Sequence, residues 1–320
     1  MKPRVLVTRR LLPEALAYLN EHAEVEGGTD PRGFAREDLK KRIADKDGLL
    51  SLLVDRIDSE IIRAAPKLRM IANCAVGVDN IDLRAARERG ILVSNTPGVL
   101  TEATADLTWA LILAAARKIP QADRFTREGR FRGWELDLFL GTDIFGRRLG
   151  IIGLGRIGQA VARRATGFGM EIVYHDPGRI PPDAEAGLRA SRLPLDELLR
   201  TADVVTVHAA LGPTTVHLLS AEKLSLMKRD AILVNVARGP IVDEAALATA
   251  LESGKLGAAG LDVYEREPEI DPRLPALENV VLLPHIGSAT RETRLAMAMA
   301  AARNLVQGLR GERPESLVGE

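Results

Sequence analysis

The sequence holds a single cysteine, Cys74, in 320 residues. No disulfide can form within the chain, which suits a reducing compartment and predicts a cytoplasmic protein. Net charge is absent as well: 44 Lys and Arg balance 44 Asp and Glu. Nothing in that balance favours nucleic acid or an anionic membrane as a partner. Long apolar runs are missing. The longest lies near residues 109–116, far short of the roughly 20 residues that span a bilayer. The opening Met-Lys-Pro-Arg-Val-Leu-Val-Thr turns polar after one strand, unlike a signal peptide. There is no internal repeat and no low-complexity segment, and no metal is expected. With 46% hydrophobic and 28% charged residues, the composition is that of a globular protein. The length exceeds one comfortable core and suits two domains.

What the chain does have is alternation. Residues 4–8, 48–53, 69–75 and 91–95 read as short strands, and 13–20, 37–44, 59–65 and 81–89 as helices between them. Such βα alternation predicts a parallel sheet covered on both faces. Thr96-Pro97-Gly98 marks a break. Residues 101–129 then read as one long helix, apolar almost all round in its first half, a sign of burial between layers or subunits. Further strands are expected at 149–154, 171–175, 203–209, 231–237, 258–263 and 280–283. Helices are expected at 157–168, 196–201, 221–227, 243–253 and 290–309, with loops at Pro177-Gly178 and Pro181-Pro182.

The densest signal is Gly153-Leu-Gly155-Arg-Ile-Gly158, set between a predicted strand and a predicted helix. G-x-G-x-x-G in that setting brings backbone close to a dinucleotide pyrophosphate. The first glycine permits the tight turn, the second leaves room for phosphates, and the third lets helix pack on strand. Free N–H groups and the helix dipole then face the anion. The next strand ends in Asp176, about 20 residues on, where a carboxylate can bind ribose.

In open parallel sheets, ligands bind beyond the carboxyl ends of the strands. From Gly153 onward those ends carry Asp176, His208, Arg238, Asp262 and His285, with Glu267 in a neighbouring loop. A plain turn would favour Gly, Asn or Ser. Arg238, Glu267 and His285 can converge beside a bound nucleotide, and such a trio suits hydride transfer to a 2-oxo acid. The guanidinium holds a carboxylate and polarises the carbonyl. The imidazole supplies a proton to the developing alkoxide, and a carboxylate on its other nitrogen orients the ring and favours its charged form. Taken singly, Arg238 could equally be a surface arginine, Glu267 a solvated loop acid and His285 a cap of the last helix.

Four motifs carry a resemblance over nearly the whole chain: residues 150–158 around the glycines, 235–244 (Asn-Val-Ala-Arg-Gly-Pro-Ile-Val-Asp-Glu), 260–268 (Gly-Leu-Asp-Val-Tyr-Glu-Arg-Glu-Pro) and 283–290 (Leu-Pro-His-Ile-Gly-Ser-Ala-Thr). The sequence resembles the D-isomer-specific 2-hydroxyacid dehydrogenases, and within them the glyoxylate and hydroxypyruvate reductases. The resemblance implies an α/β fold of two doubly wound parallel-sheet domains. A Rossmann dinucleotide-binding domain (99–288) is inserted into a flavodoxin-like substrate domain (1–98 plus 289–320), and the cleft between them closes on the substrate.

It also implies roles. Arg238 is the substrate clamp, His285 the acid/base and Glu267 its partner. Leu52, Leu53, Val76, Gly77 and Ser288 join Arg238 at the substrate, with backbone N–H groups of Val76 and Gly77 offered to its carboxylate. Cofactor contacts fall to Thr104, the glycines, Arg156, Ile157, Asp176, His208, Val236, Ala237, Arg238, Asp262, His285, Gly287 and Ser288. Asp176 favours NAD(H), because a carboxylate repels a 2′-phosphate; Arg179 could hold that phosphate, so NADP(H) stays open. The partners implied are a small 2-oxo or 2-hydroxy acid and a second copy of the chain, with Trp134 placed to reach the partner subunit's active site or to anchor the dimer. The activity implied is reversible reduction of glyoxylate and hydroxypyruvate. D-3-phosphoglycerate dehydrogenase, and a non-catalytic NAD-sensing scaffold, are the alternatives. Cys74 reads as inert core, and His175 and His217 as structural.

Overall fold

The computed structural model describes residues 1–178 and 180–319. The chain divides into two compact units, one of Met1–Leu100 with Ser288–Glu320 and one of Thr101–Gly287.

The first unit is built on β1 (Arg4–Val7), β2 (Glu24–Gly27), β3 (Gly48–Leu52), β4 (Met70–Cys74) and β5 (Leu92–Ser94), all parallel, in the order β2-β1-β3-β4-β5. Its inner strands β1, β3 and β4 are mostly apolar because both faces are covered. Val5, Val7, Leu50, Met70 and Ala72 face a core shared with Ala15, Leu19, Ala301 and Leu305. Their neighbours Leu6, Leu49 and Ile71 face the other way, against Leu39, Ile43, Ile61 and Ile62. The last helix, Arg291–Leu309, belongs to this unit and lies close on the sheet. A Cβ at Gly308 would come within 2.8 Å of the Met70 sulfur. Strand β2 has no apolar alternation to announce it: Glu24-Val-Glu-Gly27 is an edge strand paired only with β1, and charged residues are what edges tolerate.

The second unit holds β6 (Arg148–Ile152), β7 (Glu171–His175), β8 (Ala190–Arg192), β9 (Val204–Val207), β10 (Ile232–Asn235), β11 (Ala258–Leu261) and β12 (Val280–Leu282), again all parallel, in the order β12-β11-β10-β9-β6-β7-β8. The winding reverses at β6, which pairs with β7 on one side and β9 on the other. That is the switch point at which such sheets take up dinucleotides. Helix Thr101–Arg117 supplies Ala105, Trp109 and Ile112 to one face; Leu198, Leu224, Leu247 and Leu251 cover the other.

Two expectations need correction. Residues 101–129 are not one helix. Helices Thr101–Arg117 and Ile119–Arg127 meet at Lys118, whose φ of 51° is left-handed. Pro120 lies in the first turn of the second helix, where its missing N–H costs nothing. The freed carbonyl of Ala116 accepts from Thr142 N instead, at 2.8 Å. In addition, Pro181-Pro182 opens a helix, Pro182–Leu188, for the same reason, and β8 follows it.

Candidate active site

The glycines divide the work at the turn after β6. Gly153 has φ +89°, donates to His175 O at 2.8 Å, and has Ala209 N only 2.6 Å from where a Cβ would stand. A Cβ at Gly158 would lie 2.2 Å from Gly153 O, so this residue lets helix Arg156–Ala165 press on the turn. A Cβ at Gly155 would meet nothing within 4 Å. The space beside it therefore opens where the helix presents its unpaired N–H groups, a cradle suited to a pyrophosphate. Arg156 is exposed at the helix start, and Ile157 is partly buried against the core. Asp176, just past β7, accepts from Leu154 N and Gly178 N, each at 2.9 Å. Its carboxylate is thus fixed beside the glycine turn. Arg179 lies outside the described residues.

His208 follows β9, donating its backbone N–H to Ile152 O at 2.7 Å, with Nε2 2.9 Å from Thr206 Oγ1. Burial holds its imidazole down to about 3, so the ring is neutral near pH 7. Past β10, the Asn235 side chain wraps the loop: Oδ1 accepts from Ala237 N at 3.0 Å and Nδ2 donates to Arg238 O at 2.9 Å. That loop begins with buried Val236 and presents Arg238. Gly239 comes next because a Cβ there would stand 1.8 Å from Tyr264 O. This close approach holds the Arg238 loop against the loop carrying Glu267.

The tightest geometry surrounds His285. Its Nδ1 lies 2.8 Å from Glu267 Oε2. The other Glu267 oxygen accepts from Tyr264 N at 3.2 Å. Burial would push the Glu267 carboxyl up. The hydrogen bond and charge of His285, the Tyr264 N–H and the charge of Arg238 outweigh that and leave it below the ordinary carboxylate range. His285 itself is left-handed, with φ +55°. Contacts on either side hold it there: Tyr264 Oη donates to Leu283 O at 2.8 Å, and the Ile286 and Gly287 N–H groups both donate to Asp262 at 2.7 Å. Asp262 is almost fully buried, and burial raises its carboxyl in spite of those donors. Buried Thr104 lies beside Gly287, its Oγ1 3.7 Å from a Cβ placed there. Arg238, Glu267 and His285 therefore belong to the carboxyl ends of β10, β11 and β12, three neighbouring strands. Helix Arg291–Leu309 is capped by Thr290, not by His285. With Nδ1 engaged by Glu267, Nε2 is the nitrogen that can exchange a proton with a substrate.

Leu52, Leu53, Val76, Gly77 and Ser288 lie in the other unit. Leu52 ends β3 and Leu53 begins the turn after it, while Val76 and Gly77 follow β4. Cys74 is inert at neutral pH, its thiol pushed up to about 12 by burial. His175 Nδ1 is 3.2 Å from Leu193 O and His217 Nε2 3.1 Å from Glu265 Oε1, both structural contacts. Trp134 is 81% exposed. Among the described residues no group of three or more His, Cys, Asp or Glu is placed to hold a metal, and no helix is long and apolar enough to cross a membrane. The roles of Asn235, Gly239 and Tyr264 carry no sequence signal: each stands inside a recognisable motif, but what it touches depends on which loops meet.

Residues 109–287 match the family described as D-isomer specific 2-hydroxyacid dehydrogenase, NAD binding domain. A glyoxylate reductase of Korarchaeum cryptofilum is 50% identical over 322 residues, covering 100% of this chain and 97% of its own. A crystal structure of a Thermus thermophilus protein superposes with a TM-score of 0.91 at 48% identity, covering 99% of this chain and 100% of that one. An NADPH-dependent glyoxylate/hydroxypyruvate reductase of Sinorhizobium meliloti, solved with NADP and malonate, gives a TM-score of 0.89 at 35% identity, covering 100% of this chain and 97% of that one.

Proposed function

The chain belongs to the D-isomer specific 2-hydroxyacid dehydrogenases, and from that premise we propose that it reduces glyoxylate to glycolate and hydroxypyruvate to D-glycerate, reversibly, with a nicotinamide dinucleotide. The observation that carries this reading is the 2.8 Å contact of His285 Nδ1 with Glu267, with the charge of Arg238 acting on the same carboxylate. The glycine turn, with Asp176 fixed beside it, fits the dinucleotide, which when bound supplies the hydride. Arg238 orients the substrate by its carboxylate and draws electron density toward the carbonyl oxygen. His285 Nε2 gives that oxygen its proton, and in the reverse direction takes it back. Glu267 fixes the tautomer and stabilises the imidazolium. Val76 and Gly77 offer backbone N–H groups to the substrate carboxylate, and Leu52 and Leu53 form a small apolar wall that keeps water out.

NAD(H) is the preferred cofactor in this reading, because the Asp176 carboxylate suits a 2′-hydroxyl and repels a 2′-phosphate. The ratio of kcat/KM for NADH and NADPH tests it; a ratio in favour of NADPH contradicts it. The working form is a homodimer. Trp134 (81% exposed), Leu136 (79%) and Leu140 (65%) present an apolar run of the kind that a second copy covers. Light scattering at twice the chain mass is the expected result. A cytoplasmic location belongs to the same reading and rests on the lone cysteine. The activity is tested by oxidation of NADH and NADPH in the presence of glyoxylate, hydroxypyruvate and a panel of other 2-oxo acids. Absence of turnover with glyoxylate and hydroxypyruvate under both cofactors contradicts it.

A further inference from the structure

The turns after β3 and β4 carry Leu52, Leu53, Val76 and Gly77. The two strands are zipped together as far as the pair Leu52 and Cys74. Backbone pairing then stops and resumes at a single bridge, Ile57 with Ile81. Between those points the two turns separate, and no ladder sets their distance. Loops left to themselves keep the freedom that a binding site must remove.

One side chain spans the opening. Asn80 Nδ2 donates to Leu52 O at 3.1 Å and to Asp55 O at 3.0 Å, both on the β3 side. Asn80 Oδ1 accepts from Asn73 Nδ2 at 3.0 Å, on the β4 side. Asn73 Nδ2 also donates to Gly77 O at 2.9 Å, and Asn73 Oδ1 accepts from Ser51 Oγ at 3.0 Å. Asn73 and Ser51 are fully buried, so an amide here that lost its partners would have no water to turn to. Leu52 is held from its other side too. Its N–H donates to Asp55 Oδ2 at 2.8 Å, and Asp55 in turn accepts from Arg9 Nε at 2.7 Å.

We infer that Asn80 is a positioning residue, whose carboxamide clips the Leu52–Asp55 turn to the Asn73–Gly77 turn at the separation at which they receive the substrate. The inference rests on the substrate role proposed above for those turns. Hydrogen bonding, not bulk, is what matters: Asn80→Asp keeps the shape and loses both donors, and Asn80→Ala loses the whole bridge. In either variant the Leu52–Asp55 turn loses its tie to Asn73, and with it the fixed distance to the turn that carries Val76 and Gly77. Small displacements of positioning groups are costly.

The test uses the full chain and two readouts. The first needs no substrate. Hydrogen exchange at amides of residues 53–57 and 75–80 should quicken about tenfold or more in Asn80→Ala, with the Thr101–Gly287 unit unchanged. In the second, the KM for glyoxylate should rise about tenfold while the KM for NADH stays put, the loss expected from one or two net hydrogen bonds. A purely structural role would reduce the fraction of active enzyme, lowering kcat and leaving both KM values alone. If Asn80→Ala does not fold, Asn80→Asp is read in the same way. Unchanged exchange overturns the clip. Faster exchange with an unchanged glyoxylate KM overturns its link to substrate. A wild-type enzyme inert toward 2-oxo acids overturns the proposed function instead, and the exchange result then still decides whether the clip exists.

Discussion

Glu267 is held ionised by a neighbour that needs the charge. Its carboxyl lies below the ordinary range because His285, Tyr264 N and Arg238 together outweigh burial. The bond to Nδ1 fixes the ring so that Nε2 is the nitrogen that meets the substrate. Glu267→Gln keeps a hydrogen-bond acceptor and removes the charge. The kcat for glyoxylate reduction should therefore fall about tenfold or more, while NADH binding stays as it was. An unchanged kcat removes Glu267 from the mechanism. His208 shows the opposite case. Burial depresses its imidazole from 6.5 to about 3, so the folded state prefers the neutral ring. Its contribution to stability is whole above pH 6.5 and is lost as pH falls toward 3. His208→Gln should flatten the fall of Tm between about pH 7 and pH 4. An equally steep fall in the variant would mean that other groups dominate the acid limb.

Three glycines close together in the chain answer to three different constraints, and single methyl groups separate them. Gly155→Ala should melt close to wild type yet bind NADH at least about tenfold more weakly, because its Cβ meets no protein atom and enters the phosphate cradle. Gly158→Ala should instead lose roughly 1–3 kcal/mol of stability, since its Cβ runs into the Gly153 carbonyl. Calorimetry and a fluorescence titration with NADH distinguish the two; equal behaviour would contradict the division of labour. Elements like this turn were legible in the sequence because a short apolar strand, a spaced glycine run and an amphipathic helix each carry their own period. The break at Lys118 was less so. Apolar residues continue across it, and only Pro120 marks the new helix start. Strands β2 and β8 were not legible, being edges whose short sequences lack apolar alternation. The Asn73–Asn80 bridge has no spacing signature at all, since two amides seven residues apart meet only because a turn folds back.

At the scale of the whole molecule, the account depends on strand order. Arg238, Glu267 and His285 are spread over 48 positions of a 320-residue chain (238 to 285 inclusive). They meet because β10, β11 and β12 lie side by side and run in one direction. Parallel βα winding puts the loop after each strand at the same sheet edge, so distance along the chain becomes proximity at the site. Periodicity alone placed Arg238 and His285 at strand ends and Glu267 in a neighbouring loop. That the three strands are neighbours comes from the fold, not from composition or spacing. The central claim is that His285 supplies the proton at this edge. The most direct test is kcat for glyoxylate reduction by His285→Asn at saturating cofactor, with cofactor affinity measured alongside. The account predicts a fall of roughly 10²–10⁴-fold, the usual worth of a general acid, with affinity for the dinucleotide retained. A variant that turns over glyoxylate as fast as wild type would contradict it.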